Sequence, residues 1–317
     1  MVHIKAIRAA NAELKSLGPG LVAVFVGGTS GIGETTAREF VRQTDSPRVY
    51  LIGRNQTQGT NLISEFKTIN TKATVNFIQA DVSLLKNVDA ACAEVTSQES
   101  HLNLLFLSPG LLTMRGRTET AEGLDAKFAL HYYARLRFVT NLLPLLQSAP
   151  EPQKLSRVIS VLAAGLETSL NMADLQLKNA YTLKACADHA TTMTSLSLRR
   201  LARQYPTTSF IHSAPGGVRT NIARDMNPLM RLGMNLVTRL PLPMIVSLRD
   251  SGDRHLYAAT NAAFKADGKA HLIGWSNEPS ANETVLQEQE GSGISEEVWK
   301  HTEEVFEKVQ NEGKYDS

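Results

Sequence analysis

Residues 24–33 read Val-Phe-Val-Gly-Gly-Thr-Ser-Gly-Ile-Gly, a glycine-rich turn that directly follows an apolar segment. A strand, a tight turn and a helix in this order bind the pyrophosphate of a dinucleotide, because the helix N-terminus presents free N–H groups to the phosphates. Gly27 lets the chain turn, while Gly31 and Gly33 let the backbone and the helix approach the phosphate closely. The stretch therefore predicts that this chain binds a dinucleotide.

Apolar runs and helical segments alternate along the chain after this turn. Such alternation predicts an α/β fold, a doubly wound Rossmann-type parallel sheet flanked by helices, with ligands at the carboxyl ends of the strands. The predicted strands are Leu21–Val26, Val49–Ile52, Val75–Ile78, Leu104–Leu107, Val158–Leu162 and Ser209–His212. The predicted helices between them are Glu34–Arg42, Gln58–Ile69, Asn87–Thr96, Ala126–Leu146 and Tyr181–Gln204.

No linker rich in Pro, Gly or Ser divides the 317 residues, so we expect a single domain over 1–317. We place its Rossmann core at 20–215, a substrate loop with helices at 216–290, and a C-terminal helix and tail at 295–317. The apolar segment 220–248 holds four methionines, an adaptable lining that suits a lid over an apolar substrate. Packing of this segment against the core or a second subunit is the alternative.

Composition limits the partners. The net charge of +2 comes without a basic stripe, which argues against nucleic acid. We find no apolar run long enough for a membrane span and no secretory segment in the first twenty residues, so we expect a cytoplasmic protein. Cys92 and Cys186 are expected to be reduced core thiols, and His212 and His255 have no companions at metal spacing, so we expect no metal site.

Three ordered motifs resemble those of the short-chain dehydrogenase/reductase family. That family's Thr-Gly-x-x-x-Gly-x-Gly turn is matched by residues 26–33, with only the leading Thr replaced by Val26. Asp81-Val82 matches its Asp-Val pair, whose carboxylate accepts from the adenine amino group. Residues 215–220 match its Pro-Gly-x-Val-x-Thr segment, which binds the nicotinamide carboxamide. Leu-Pro-Leu-Leu at 143–146 and a tryptophan in the C-terminal helix are similar to fungal members linked to secondary metabolism.

The end of the second predicted strand indicates which dinucleotide is used. It reads Gly53-Arg54-Asn55, without the acidic residue that would hold the ribose hydroxyls of NAD and repel a 2′-phosphate. The Arg54 guanidinium suits that phosphate, which favours NADP(H); an exposed arginine at a strand end is the alternative. The motifs and Arg54 together assign cofactor binding to Gly27, Thr29, Ser30, Gly31, Ile32, Gly33, Arg54, Asn55, Asp81, Val82, Ser108, Gly110, Pro215, Gly216, Val218 and Thr220.

The resemblance is weaker for the catalytic residues. The family uses a Tyr acid/base, a Lys four residues later, a Ser that orients the carbonyl and an Asn that completes a proton relay. Tyr181 matches the Tyr, but Lys184 falls three residues later, and Ala163 stands where we expect the Ser. His131 occupies the helix position of the Asn and is a candidate proton donor. The neighbouring Tyr-Tyr pair at 132–133 is a candidate pocket lining.

These residues predict an NADP(H)-dependent oxidoreductase, a carbonyl reductase or the reverse dehydrogenase, that acts on an apolar small molecule in secondary metabolism. Two alternatives keep the fold without hydride transfer. One is an isomerase, cyclase or dehydratase, and the other is an NADP(H)-binding regulator. Dimers and tetramers are common in the resembling family, so a homo-oligomer stays open.

Overall fold

The computed structural model describes residues 1–149, 155–218 and 244–315. Within them, a seven-stranded parallel sheet has the order β3-β2-β1-β4-β5-β6-β9, and β7 and β8 form a separate parallel pair. The strands are β1 (Val22–Val26), β2 (Arg48–Gly53), β3 (Thr74–Gln79), β4 (Leu104–Leu107), β5 (Arg157–Val161), β6 (Ser209–Ser213), β7 (Gly217–Val218), β8 (Ile245–Val246) and β9 (Ala270–Ile273).

Helices cover both faces of this sheet. They are α1 (Ile4–Ala12), α2 (Gly31–Gln43), α3 (Gln56–Ile69), α4 (Leu85–Gln98), α5 (Ala126–Phe128), α6 (Ala134–Gln147), α7 (Leu183–Gln204), α8 (Leu248–Thr260), α9 (Glu283–Gly291) and α10 (Ile294–Glu312). Alternate residues of β1 belong to two separate hydrophobic cores, Val24 to one and Phe25 to the other, because successive strand side chains point to opposite faces. The doubly wound Rossmann-type fold is therefore confirmed.

Strand β1 is the point at which the direction of winding reverses. Val26 at its carboxyl end pairs with Ile52 of β2 on one side and with Leu107 of β4 on the other. The chain runs outward from β1 to β3 and then returns to build β4, β5 and β6 on the opposite side. A crevice opens at such a reversal, at the carboxyl ends of the strands, and it is where open α/β sheets bind their ligands.

The predicted elements are found with small shifts at their ends, and one predicted helix is divided. The stretch predicted as Ala126–Leu146 contains a π-helical turn at Ala129–Tyr133 between α5 and α6. We did not predict β9, α8 or α9. The predicted lid falls mostly on residues 219–243, which lie outside the described residues.

The predicted role of Tyr132 and Tyr133 as pocket lining is wrong. Both are fully buried, and the Tyr132 hydroxyl lies 2.6 Å from Thr302 Oγ1 of α10. The Tyr133 hydroxyl lies 2.9 Å from His301 Nε2 of the same helix. The two phenols therefore hold the C-terminal helix against the core. Throughout the described ranges, every helix is too short or too polar to cross a bilayer.

Candidate nucleotide cleft and active site

A cavity of about 270 Å³ lies at the carboxyl ends of the central strands. It extends from Arg54, after β2, to Pro215, after β6. Most of the predicted cofactor residues line it: Gly27, Thr29, Ser30, Gly31, Ile32, Arg54, Asn55, Asp81, Val82, Ser108, Gly110 and Pro215. Gly33, Gly216 and Val218 are not part of the lining, and Thr220 lies outside the described residues.

The glycine turn after β1 requires its glycines for two physical reasons. Gly27 has φ +75 and Gly31 has φ +63, the left-handed region that favours glycine. Gly33 supports the cleft from behind, since a Cβ there would lie 2.5 Å from both Gly27 O and Ser108 Oγ. Ser30 is the exposed N-cap of α2, and its hydroxyl makes no capping hydrogen bond. This arrangement suits an anion held by Ser30 and the free N–H groups of the helix.

The β2–β3 end of the cleft carries Arg54 and Asp81. Arg54 is exposed, and in the described part of the chain no acidic side chain forms an ion pair with it. Asp81 is held in one orientation because its Oδ1 accepts from the Ser83 N–H at 3.1 Å and the Ser83 hydroxyl at 2.8 Å. Asn55 caps α3 by accepting from the Gln58 N–H at 3.0 Å. This end therefore offers a cation and an oriented carboxylate.

The β4–β6 end is largely apolar. Val161 and Leu162 form its wall where β5 ends, and Ala163, at the expected Ser position, is not part of the lining. The N–H of Ala163 donates instead to the buried His212 Nε2 at 3.2 Å. Neither Leu162 nor Ala163 carries a hydroxyl, so the side chain that orients a carbonyl in the family has no equivalent at either position.

The structure does not bring Tyr181 and Lys184 together at the cleft. Thr182 is the N-cap of α7, so the helix begins at Leu183 and the helical spacing from Tyr181 to Lys184 does not apply. The Tyr181 hydroxyl donates to Asp125 Oδ1 at 3.4 Å. Burial, followed by the neighbouring Cys186 and Asp125, raises the pKa of Tyr181, which therefore keeps its proton at neutral pH.

Lys184 lies on the surface. Its side chain is 80% exposed and pairs with Asp188, one helical turn further along α7. Neither Tyr181 nor Lys184 is among the residues that line the cleft. The predicted pairing of a phenol with a lysine beside the nicotinamide is thus absent from this arrangement.

His131 does line the cleft, and it does so from the π-helical turn between α5 and α6. Its Nε2 accepts from the Leu111 N–H at 3.2 Å, so the neutral ring carries its proton on Nδ1. Burial, with the charges of Arg135 and Lys127, lowers the pKa of His131 to about 3. At neutral pH this side chain is an uncharged hydrogen-bond donor.

Arg135 also lines the cleft, although it is not among the site residues predicted from the sequence. The side chain is buried, and it donates to Pro109 O at 2.6 Å, Val161 O at 2.7 Å and Ser160 Oγ at 2.9 Å. Its Nε donates to Leu130 O at 3.1 Å, within the π turn whose end is marked by the bond from Ala134 N–H to Ala129 O. An arginine one helical turn after His131 in an apolar helix was the available signal.

The loop that follows β5 is held by a buried carboxylate. Glu167 accepts from the Gly165 N–H at 3.0 Å, the Asn282 N–H at 2.9 Å and the Ser195 hydroxyl at 2.7 Å. Ser195 Oγ lies 2.7 Å from His212 Nδ1, which extends the network to β6. The wall of the cleft at the end of β5 is therefore supported from beneath.

Comparisons with known proteins agree with this fold. Residues 21–229 match the model of the short chain dehydrogenase family. Oxidoreductase AN1596 of Emericella nidulans is 40% identical over 98% of this chain and 99% of its own. The NmrA-like family domain-containing oxidoreductase notO of an Aspergillus species is 35% identical over 96% and 95%. The fold is similar to that of NADPH-bound carbonyl reductase from chicken fatty liver, with a TM-score of 0.61 and 17% identity. The match covers 83% of this chain and 100% of the reductase.

Proposed function

The chain belongs to the short-chain dehydrogenase/reductase family, and on that premise we propose that it is an NADP(H)-dependent carbonyl reductase, or the reverse dehydrogenase, of an apolar small molecule. One observation carries the proposal. A single cavity joins Arg54 and Asp81 at one end to His131, Leu162 and Pro215 at the other. A dinucleotide bound across the reversal point spans such a cleft, with its adenosine half over β2 and β3 and its nicotinamide half over β4 to β6.

The choice of NADP(H) depends on Arg54. An exposed guanidinium at the end of β2, without an acidic partner among the described residues, fits a 2′-phosphate on the adenosine ribose. A protein of similar fold supports the same choice, because the structure of the chicken carbonyl reductase contains NADPH. The glycine turn, Ser30 and Asp81 would hold the pyrophosphate and the adenine.

The lining favours an apolar substrate. Leu111, Leu130 and Leu162 line the β4–β6 end of the cleft. Exposed apolar side chains also lie on the loops that follow β4 and β5: Met114 is 56% exposed and Leu166 68%. Both loops leave the sheet at the edge where the cleft opens. Met244, which directly precedes β8, is 56% exposed. The motifs that resemble fungal members of the family support a place in secondary metabolism, and the two relatives described above are fungal oxidoreductases.

The chemistry at this site rests on binding and orientation. NADPH, when bound, would supply the hydride. The titratable side chains that line the β4–β6 end of the described cleft are His131 and Arg135. His131 is neutral at pH 7, so it holds a substrate oxygen through a hydrogen bond from Nδ1, and the product oxygen takes its proton from water. We expect slow turnover, because losing one oxyanion donor costs on the order of 10²–10³ in rate.

A second candidate function is nucleotide binding without hydride transfer, as in an isomerase or a regulator. The placement of Tyr181 on Asp125 and of Lys184 on the surface favours it. NADPH consumption in the presence of substrate separates the two functions, because only the reductase oxidises the nucleotide.

The test has two steps. Fluorescence titration should give tight binding of NADPH and weaker binding of NADH. The protein is then assayed with a panel of apolar ketones, enones and quinones. With some of these compounds it should oxidise one NADPH for each molecule of reduced product. Binding of neither nucleotide would overturn the proposal, and binding of NADPH without turnover of any carbonyl would favour the second function.

A further inference from the structure

We propose that Arg135 makes this cleft bind the reduced cofactor more tightly than the oxidised one, and so directs the enzyme towards reduction. The inference rests on the proposed function, because it assumes a nicotinamide cofactor in the cleft. Arg135 carries a fixed charge of the protein. Its effect depends only on which half of the cleft holds the nicotinamide.

Arg135 is a buried cation that no carboxylate neutralises within residues 1–149, 155–218 and 244–315. Its partners there are the oxygens of Pro109, Leu130, Ser160 and Val161, all of them uncharged. Burial lowers the pKa of Arg135 to about 9, and no acidic neighbour contributes to that pKa. The guanidinium is therefore charged at pH 7, and its positive charge is not cancelled locally.

The charge lies at the nicotinamide half of the cleft. Pro109 follows β4 and Val161 ends β5, so a guanidinium bonded to both carbonyls sits at the carboxyl ends of these two strands. Arg135 lines the same cavity as Leu162 and Pro215. Its Nη2 carries two hydrogens and donates one of them to Pro109 O.

The two redox states of the nicotinamide respond differently to such a charge. The oxidised ring is a cation and the reduced ring is neutral, so an adjacent guanidinium repels the first and not the second. The repulsion is strong because the site is buried and poorly screened. Burial, and after it the charge of Arg135, lowers the pKa of both His131 and His212.

A ratio of dissociation constants measures this effect without any turnover. NADPH is titrated by fluorescence, and NADP⁺ by displacement of NADPH. We expect wild-type protein to bind NADPH about tenfold more tightly than NADP⁺, which corresponds to about 1.4 kcal/mol. In Arg135→Met the ratio should fall towards one, mainly because NADP⁺ binds more tightly.

Two further variants separate charge from packing. Arg135→Lys keeps the cation and should keep the ratio within about threefold of wild type. Arg203→Met removes an exposed arginine of α7, paired with Glu290, and should leave the ratio unchanged. Circular dichroism establishes which variants fold. If Arg135→Met does not fold, Arg135→Gln replaces it as the variant that removes the charge and keeps hydrogen-bond donors, and its ratio should likewise fall towards one.

The outcomes are distinct. Equal affinities for the two nucleotides in wild-type protein, or the wild-type ratio in a folded Arg135→Met, would overturn the role of Arg135 and leave the proposed function standing. A wild-type protein that binds neither nucleotide would overturn the proposed function and this inference together.

Discussion

The Tyr181 hydroxyl lies 3.4 Å from Asp125 Oδ1 and donates its hydrogen to that carboxylate. Asp125 is the N-cap of α5, and it also accepts from the N–H groups of Thr118 and Phe128, each at 2.9 Å. The phenol that the family motif would place beside the nicotinamide therefore takes part in a helix cap. Its position makes Tyr181 a structural residue in this arrangement.

Replacing Tyr181 tests this placement. We expect Tyr181→Phe to keep NADPH-dependent turnover within about threefold of wild type while the free energy of unfolding falls by about 1 kcal/mol, the worth of one hydrogen bond. Steady-state kinetics and urea unfolding measure the two quantities. Lys184→Met is the matched surface control and should change neither. A loss of activity near a hundredfold in Tyr181→Phe would return the acid role to the phenol.

His131 should carry the opposite phenotype. His131→Phe removes the imidazole that we propose holds the substrate oxygen, and we expect kcat to fall by about a hundredfold while the dissociation constant of NADPH stays within about threefold. His131→Asn keeps a donor of similar reach and should recover part of the rate. Single-turnover kinetics with a saturating carbonyl substrate isolate the chemical step. Equal rates in wild type and His131→Phe would remove this side chain from the reaction.

Arg54 should determine the choice between the two dinucleotides. We expect Arg54→Ala to weaken NADPH binding by about 2 kcal/mol, or about thirtyfold, because a charged hydrogen bond to the 2′-phosphate is lost. NADH has no such phosphate, so its affinity should change less than about twofold. Arg54→Lys should give an intermediate value for NADPH. A parallel loss for both nucleotides would mean that Arg54 supports the fold of the cleft instead of reading the phosphate.

The cofactor half of the site could be predicted because its chemistry is local. Glycines at 27, 31 and 33 serve a turn and a close helix contact that their own spacing specifies. Arg54 follows a strand whose end was read directly from the sequence. In each case the residues that make the site are near neighbours in the chain, so their spacing in the sequence is enough to predict their arrangement.

Apart from His131, which lines the cleft as predicted, the placement of residues around the β4–β6 end could not be predicted because distant packing decides it. Tyr181 was placed on a helix, whereas the Thr182 cap delays the start of α7 to Leu183. Thr182 Oγ1 accepts from the Ala185 N–H, and a threonine just before a helical segment is the sequence signal for such a cap. Arg135 depends on a π turn and on carbonyls of two other strands, which no local pattern specifies. Strand β9 is short and contains a histidine, so its periodicity is weak.

Buried histidines should make the protein sensitive to mild acid. Burial lowers the pKa of His131 and His212 to about 3 and of His255 to about 4, against an ordinary value of 6.5. Between those values the unfolded chain binds more protons than the folded one, so stability is complete above pH 6.5 and falls as the pH drops below it.

The loss can be measured by urea unfolding at two pH values. Each of these histidines contributes up to about 1.4 kcal/mol per pH unit, so the three together should lower the free energy of unfolding by about 4 kcal/mol between pH 7.5 and 5.5. A folded His255→Gln variant should show about 1.4 kcal/mol less of this loss. An unfolding free energy that stays constant over this range would contradict the prediction.

The Glu167 network should control the wall of the cleft at β5. Glu167→Gln replaces one accepting oxygen by an NH₂ group, which faces the donors that the carboxylate now satisfies. We therefore expect the free energy of unfolding to fall by about 2 kcal/mol. A double-mutant cycle with Ser195→Ala should give a coupling energy above about 0.5 kcal/mol, because the two side chains share one hydrogen bond of 2.7 Å. Additive effects of the two changes would show that they act independently.

The two-residue strands β7 and β8 pair Gly217 with Ile245 and Val218 with Val246. They bring together the two points at which residues 219–243 leave and rejoin the described chain, beside Pro215 of the cleft. Because β7 and β8 form a small sheet of their own, a change of length between these two strands would leave the strand register of the seven-stranded sheet unaltered.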